Sequence, residues 1–129
     1  MITKLLIADD EAPVLKVMKD FFELKRYEVI MAQNGEEALN KARSEKPALA
    51  ILDVTMPKLD GFEVCQAMRK DPALAKTPVI MLTAREAIKD KITGKECGAD
   101  VYLLKPLVLD NLLMNVEALL RGGKGARFS

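Results

Sequence analysis

Short apolar runs in this chain end on residues able to do chemistry. Residues 4–8 run into Asp9 and Asp10, residues 48–52 into Asp53, residues 78–82 into Thr83 and Ala84, and residues 100–104 into Lys105. A continuous apolar run this short, bounded by turn signals, reads as a strand buried on both faces. In an open parallel sheet the functional crevice lies just beyond the carboxyl ends of the strands. A carboxylate placed there is costly unless a metal, a cation or a hydrogen bond meets it. If the first and third strands are neighbours, Asp9, Asp10 and Asp53 converge. Three clustered carboxylates repel and raise one another's pKa. A hard divalent cation resolves that conflict: Mg²⁺ takes oxygen ligands, keeps several waters, and leaves room for a phosphate oxygen. Lys105 and the Thr83 hydroxyl then supply a cation and a donor on the other side, which suits the equatorial oxygens of a phosphoryl group in transfer. Asp53 is the central carboxylate and the natural nucleophile, forming an acyl phosphate.

Strand–helix units must hold these ends. After the first strand, Pro13 suits the first turn of a helix. Val14, Val17, Met18, Phe21 and Phe22 recur at helical spacing and make one apolar face ending near Lys25. Residues 27–32 read as a second strand. Asn34 with Glu37 three residues on resembles a capping box and opens a helix over about 35–44, with Ala38, Leu39 and Ala42 inward. Lys46-Pro47 closes it. Asp60 and Glu63 make a second such start for a helix running to about Lys70, with Val64, Cys65, Ala67 and Met68 apolar, and Asp71-Pro72 breaks it. Residues 85–96 are expected to be helical, weakened by roughly 1 kcal/mol at Gly94, with Gly98 as C-cap. Leu109, Leu112, Leu113, Val116, Leu119 and Leu120 make a strongly periodic last helix. Five strand–helix units in strict alternation predict an α/β domain over residues 1–121, a parallel sheet with helices on both faces. Residues 122–129 carry glycine and positive charge without apolar period, as a flexible basic tail or the start of a linker does.

Composition removes other classes. The 129 residues, 50% hydrophobic and 30% charged, can pack a core without disulfides or structural metals. Twenty Lys and Arg against 19 Asp and Glu give a net charge of +1, no support for nucleic acid or membrane as the main partner. No apolar run approaches a membrane span, and the N-terminus is too short and too acidic for a signal peptide, so a cytoplasmic location is expected. There is no histidine, hence no Ser-His or Cys-His nucleophile pair and no phosphohistidine on this chain. Cys65 and Cys97 alone make no zinc site. They read as two reduced structural thiols.

The D-D pair at 9 and 10, L-D-V-T-M-P around Asp53, D-G-F-E at 60 to 63, L-T-A at 82 to 84 and G-A-D-V-Y-L-L-K-P at 98 to 106 together resemble the receiver domain of two-component response regulators, over nearly the whole chain. The resemblance implies a (βα)5 doubly wound sheet in the order 2-1-3-4-5, a flavodoxin-like, CheY-like three-layer sandwich. Asp53 would be the phosphoacceptor, charged by a sensor histidine kinase or a histidine phosphotransfer protein. Asp10 and Asp53 would bind Mg²⁺, or Mn²⁺ in its place, with the backbone carbonyl of Thr55, and Asp9 would act at or near that shell, often through water. Lys105 would pair with Asp53 or its phosphoryl group, and the Ala84 backbone would touch the latter. Thr83 would move to bond a phosphoryl oxygen, and Tyr102 would swing inward into the space vacated. The face formed by the fourth helix, fifth strand and fifth helix would then change its affinity for an effector or output domain, or for a second copy through Ile88, Ile92 and the leucines near 112. Pro106 would follow a cis peptide bond. Such a protein is a signalling switch rather than an enzyme, its catalysis confined to its own phosphotransfer and autodephosphorylation. Leu107 departs from the common aromatic, and Thr55 and Arg85 flank the site where they would influence the acyl-phosphate lifetime.

Each residue also has a plainer role. Asp9-Asp10 could cap the first helix, Asp60 only the third, Thr83 its own helix, while Lys105 could be solvated and Tyr102 packed. Joint placement at strand ends favours the functional reading. A binding module without chemistry is a second reading, against which all the charged positions being intact argues. An enzyme on the same architecture is a third. An aspartate-nucleophile phosphatase would want an acid two residues after Asp53, where Thr55 stands, and a nucleotide binder would want a glycine-rich loop where D-D-E-A-P stands.

Overall fold

The computed structural model describes residues 2–84 and 97–122. Five strands, β1 (Thr3–Ala8), β2 (Tyr27–Ala32), β3 (Leu49–Asp53), β4 (Val79–Thr83) and β5 (Val101–Leu104), form one sheet in the order β2-β1-β3-β4-β5, with every neighbouring pair parallel. The described helices are α1 (Ala12–Leu24), α2 (Gly35–Glu45), α3 (Gly61–Lys70) and α4 (Leu109–Leu120). The helix expected over 85–96 lies outside the described residues, and so do Arg85, Ile88, Ile92 and residues 123–129.

Alternation along the buried strands sorts the core into two layers. Leu5, Ile7, Leu49, Ile51, Ile80, Leu82, Val101 and Leu103 point to one face and meet Leu15, Met18 and Phe22 of α1 and Leu112, Val116 and Leu119 of α4. Leu6, Ala8, Ala50, Leu52, Val79, Met81 and Tyr102 point to the other and meet Ala38, Leu39 and Ala42 of α2 and Phe62, Cys65 and Met68 of α3. No helix of the described residues is long and apolar enough to cross a membrane.

The buried stripe of α1 differs from the one its periodicity suggests. Leu15 is buried and Val17 is 56% exposed. The stripe runs 15, 18, 22, so Val17 turns toward a groove that it lines with Pro13, Val14, Met18, Leu107 and Leu109. Caps fall close to expectation. Asp60 and Glu63 form a full capping box. Asn34 accepts the Glu37 N–H at 2.8 Å, while the Glu37 carboxylate reaches one residue further back, to the Gln33 N–H.

One tie had no sequence signal. The Arg69 guanidinium, at the end of α3, donates to the carbonyls of Gly98 at 3.0 Å, Ala75 at 3.2 Å and Thr77 at 2.7 Å, and pairs with Asp100 at 3.2 Å. It thus pins the α3–β4 connection and the approach to β5. These carbonyls are exposed or partly buried, so water makes up part of the loss and each bond to the charged guanidinium is worth about 1 kcal/mol. Arg69→Ala is therefore expected to lose about 3 kcal/mol in chemical denaturation. Arg69→Lys should recover little of it, because an ammonium cannot reproduce the planar fork.

Candidate phosphoryl-transfer site

Register puts the chemistry at one end of the sheet. Ala8 pairs with Leu52, so the next residues, Asp9 and Asp53, stand level on adjacent strands. Thr83 pairs with Leu104, one residue before Lys105. Backbone hydrogen bonds extend the ladder past the strand ends, from the Asp9 N–H to Ala32 at 3.1 Å, from Val54 to Leu82 at 2.9 Å and from Lys105 to Thr83 at 2.8 Å. These residues are therefore held by sheet geometry and not by free loops.

Asp9 and Asp53 are buried, at 0% and 5% exposure, while Asp10 is exposed at the rim. A carboxylate oxygen from each of the three lies within 4.8 Å of the others. Lys105 Nζ is 2.9 Å from Asp53 Oδ2 and 3.4 Å from Asp9 Oδ2. The remaining oxygens find backbone: Asp53 Oδ1 accepts the Thr55 N–H at 3.1 Å, and Asp9 Oδ1 accepts the Glu11 N–H at 2.9 Å. Burial pushes the Asp53 carboxyl above its ordinary value, with the Lys105 hydrogen bond opposing and the Asp9 charge adding to the rise. Burial alone would depress Lys105, but its hydrogen bonds to Asp53 and Asp9 and their charges outweigh that and raise it.

One ammonium touches two of the three clustered carboxylates, so the cluster carries excess negative charge drawn together by the fold. All its free donors are hard oxygens, a set that fits Mg²⁺ or Mn²⁺ and not a soft metal. Three oxygens within one ion's reach, beside a lysine too short of charge to balance them, form a site that can hold a divalent cation.

The other expected residues fall around this cluster. Thr83 is buried, and its hydroxyl donates to the carbonyl of Ala84 at 3.1 Å, turned along its own strand end. Tyr102 is buried at 4% exposure, its ring already inside the α2–α3 layer and its hydroxyl 3.8 Å from Cys97 Sγ. Thr55 is exposed, on the loop that leaves β3. The Lys105-Pro106 peptide is cis, as the resemblance implied. Asp60 is engaged in its capping box and is not one of the three clustered carboxylates. Sequence reading missed the second contact of Lys105, to Asp9, because pairing strand ends shows which residues meet but not how a long side chain divides itself between two of them.

A sequence model described as response regulator receiver domain matches residues 5–117. The chain is 46% identical over 126 residues to a protein of Guillardia theta named "Probable transcriptional regulator ycf27", covering 98% of this chain and 48% of that one. It is 44% identical over 118 residues to the alkaline phosphatase synthesis transcriptional regulatory protein PhoP of Bacillus subtilis, covering 92% and 48%. The chain thus spans about half the length of the curated relatives it matches. Among solved structures, the chemotaxis response regulator CheY4 of Vibrio cholerae superposes with a TM-score of 0.84 at 33% identity, covering 91% of this chain and 98% of that one.

Proposed function

The chain belongs to the response regulator receiver family, and from that membership we propose that Asp53 is the phosphoacceptor of a two-component phosphorelay. The observation that carries the reading is the Lys105 ammonium 2.9 Å from Asp53 Oδ2 beside a cluster of three carboxylates. Asp53 attacks the phosphorus of a phosphohistidine on a sensor kinase or phosphotransfer protein, and the imidazole leaves. Lys105 moves its charge from the carboxylate to an equatorial phosphoryl oxygen, so the stabilising group is in place before the charge arrives. The Thr83 hydroxyl rotates away from the Ala84 carbonyl to donate to a second oxygen, and the Ala84 backbone lies beside a third. That movement opens room beside Tyr102, whose readjustment alters the surface around β5 and α4. Asp9, Asp10, Asp53 and the carbonyl of Thr55 would hold Mg²⁺, which when bound neutralises the approaching phosphoryl group.

The phosphodonor's docking surface in this reading is the groove of Pro13, Val14, Val17, Met18, Leu107 and Leu109, about 340 Å³. Its walls are the residues that follow Asp10 and Lys105 in sequence, so an apolar helix seated there carries its histidine to the acidic rim. The downstream partner is an effector or an output domain. The relatives named for transcriptional regulation favour an output domain joined through residues 122–129, with the receiver occupying 1–121. The protein acts as a cytoplasmic signalling switch and hydrolyses only its own acyl phosphate.

The test is incubation with acetyl phosphate. With Mg²⁺, intact mass should rise by one phosphoryl group, and with EDTA it should not. Mass unchanged in both, with no Mg²⁺ response in the amide spectrum, would leave a constitutive binding module as the better reading. Acidity gives a second check. Protons compete with Mg²⁺ for Asp53, and burial has raised its pKa. Mg²⁺ affinity should therefore hold at neutral pH and fall away on acidification above the ordinary aspartate range. Calorimetric titration across weakly acidic pH measures this, and an affinity flat until the ordinary range would remove the raised Asp53 from the argument.

A further inference from the structure

A buried thiol pair outside the acidic pocket takes no part in the chemistry above. Cys65 on the inner face of α3 and Cys97 just before Gly98 are 0% and 1% exposed. The Cys65 thiol donates to the Cys97 carbonyl at 3.2 Å, which sets the two cysteines side by side. Cys97 Sγ lies 3.8 Å from the Tyr102 hydroxyl. The pair is unequal. The hydrogen bond from Cys65 lowers Cys97; burial opposes, while the Tyr102 hydroxyl, the Ala99 N–H and the Arg69 charge assist. The same hydrogen bond, together with burial, pushes Cys65 up. An attacking thiolate beside a protonated resolving thiol is the arrangement that disulfide formation needs.

We propose that Cys65 and Cys97 form a reversible intramolecular disulfide on exposure to peroxide, and that this bond restrains Tyr102. The Cys65 sulfur already lies 3.2 Å from the Cys97 carbonyl oxygen, so a local adjustment separates the pair from the S–S length of about 2.05 Å. The Cys97 thiolate attacks one oxygen of hydrogen peroxide. The O–O bond breaks, hydroxide leaves and takes a proton as water, and Cys97 becomes a sulfenic acid. Cys65 sulfur then attacks Cys97 sulfur. The S–O bond breaks, and the hydroxyl leaves as water with the Cys65 proton. Two thiols and one peroxide yield one disulfide and two waters, with two electrons passing from sulfur to oxygen. Burial makes the first step slow. The bond ties α3 to the turn that enters β5 and removes the thiol that faces the Tyr102 hydroxyl.

Formation of the bond is independent of the Asp53 reading, whereas its consequence for switching rests on it. The whole chain is reduced, treated with hydrogen peroxide in native buffer, and analysed by non-reducing intact mass and peptide mapping. Circular dichroism on the same sample reports the fold. The expected result is loss of two hydrogens in a folded monomer, a cross-link between the peptides carrying Cys65 and Cys97, and reversal by dithiothreitol. Cys65→Ala and Cys97→Ala should each abolish it, but the map on the unaltered chain decides the matter even if a variant unfolds. Full recovery of both thiols, sulfinic acid without a cross-link, links only between chains, or linkage only on unfolding would each overturn the bond. Reduced and oxidised chains are then compared for phosphoryl uptake from acetyl phosphate with Mg²⁺ and for the Tyr102 amide shift with beryllofluoride. Several-fold lower uptake and a blunted shift after oxidation support the restraint, and equal responses overturn it. A reduced chain that takes up no phosphoryl group defeats the Asp53 reading and the restraint with it, and leaves the disulfide standing.

Discussion

Asp53→Asn should take up no phosphoryl group from acetyl phosphate and Mg²⁺ under conditions that convert the unaltered chain to a single adduct. The amide is nearly isosteric, but its single oxygen replaces only one of the two acceptors: with the oxygen toward Lys105 the NH2 faces the Thr55 N–H, so one hydrogen bond is kept and the other lost. The nucleophile is lost as well. Its neighbours are poor substitutes for different reasons. The Asp9 side chain is 0% exposed against 7% for Asp53, so no phosphodonor can reach it in line. Asp10 is exposed but stands outside the Lys105 contacts, which go to Asp9 and Asp53. A hundredfold drop in rate is about 2.7 kcal/mol of barrier, well within what one missing nucleophile removes. Stability should move little. Because the folded site raises the Asp53 pKa, ionising Asp53 works against the fold. That contribution is present below the unfolded-state pKa and lost as pH rises through the folded one. In Mg²⁺-free buffer at neutral pH, Asp53→Asn is accordingly expected to unfold at or slightly above the denaturant midpoint of its parent. An adduct of undiminished yield on the variant, mapped to Asp9 or Asp10, would move the acceptor role to that residue.

The parts of this site that were legible from sequence are those a strand end dictates. A buried parallel strand must be apolar, so the first polar residue after it marks the edge of the sheet, and Asp9, Asp53, Thr83 and Lys105 are each such a residue. Cap chemistry was legible for the same reason: Asp60 with Glu63 is a local code that needs no tertiary partner. The features that escaped are non-local. Leu15 and Val17 of α1 are both aliphatic, and only the sheet beneath decides which of them turns inward. Arg69 looks like any arginine near a helix end until the folded chain brings Gly98, Thr77 and Asp100 around it. Cys65 and Cys97 are 32 residues apart and meet only because α3 packs beside the approach to β5. Tyr102, placed by resemblance as a residue that moves inward, already lies within the core, so the switching proposed for it would consist of repacking there and not of entry from solvent.

Among the described glycines, Gly35→Ala is expected to be the most damaging single methyl addition, and to damage function as well as fold. Gly35 opens α2 with an ordinary helical backbone, so alanine should by propensity stabilise it by about 1 kcal/mol. The tertiary environment reverses that. A Cβ there would lie 1.8 Å from the carbonyl oxygen of Leu59 and 2.6 Å from its Cβ. The obstacle is backbone, not the end of a flexible side chain, and the Gly35 N–H is already bonded to the Pro57 carbonyl at 3.2 Å. Either α2 must lift from the loop or the loop must withdraw from α2. Overpacking of this kind costs about 3 kcal/mol, which for a domain of this size lowers Tm by roughly 10 °C. The displaced loop joins β3 to α3 and carries Thr55, whose N–H holds Asp53 Oδ1 at 3.1 Å and whose carbonyl is the proposed backbone ligand. Mg²⁺ affinity should therefore fall several-fold in the fraction that remains folded. Gly122→Ala separates this clash from ordinary glycine effects. Gly122 has φ +80, but nothing lies within 4 Å of its Cβ position, so alanine there carries only left-handed backbone strain of about 1 kcal/mol and should leave Mg²⁺ binding unchanged. If Gly35→Ala proved no more destabilising than Gly122→Ala, the close approach of α2 to the Asp53 loop would not be what positions that loop. The Thr55 contact would then have to be maintained by β3 and the α3 cap alone.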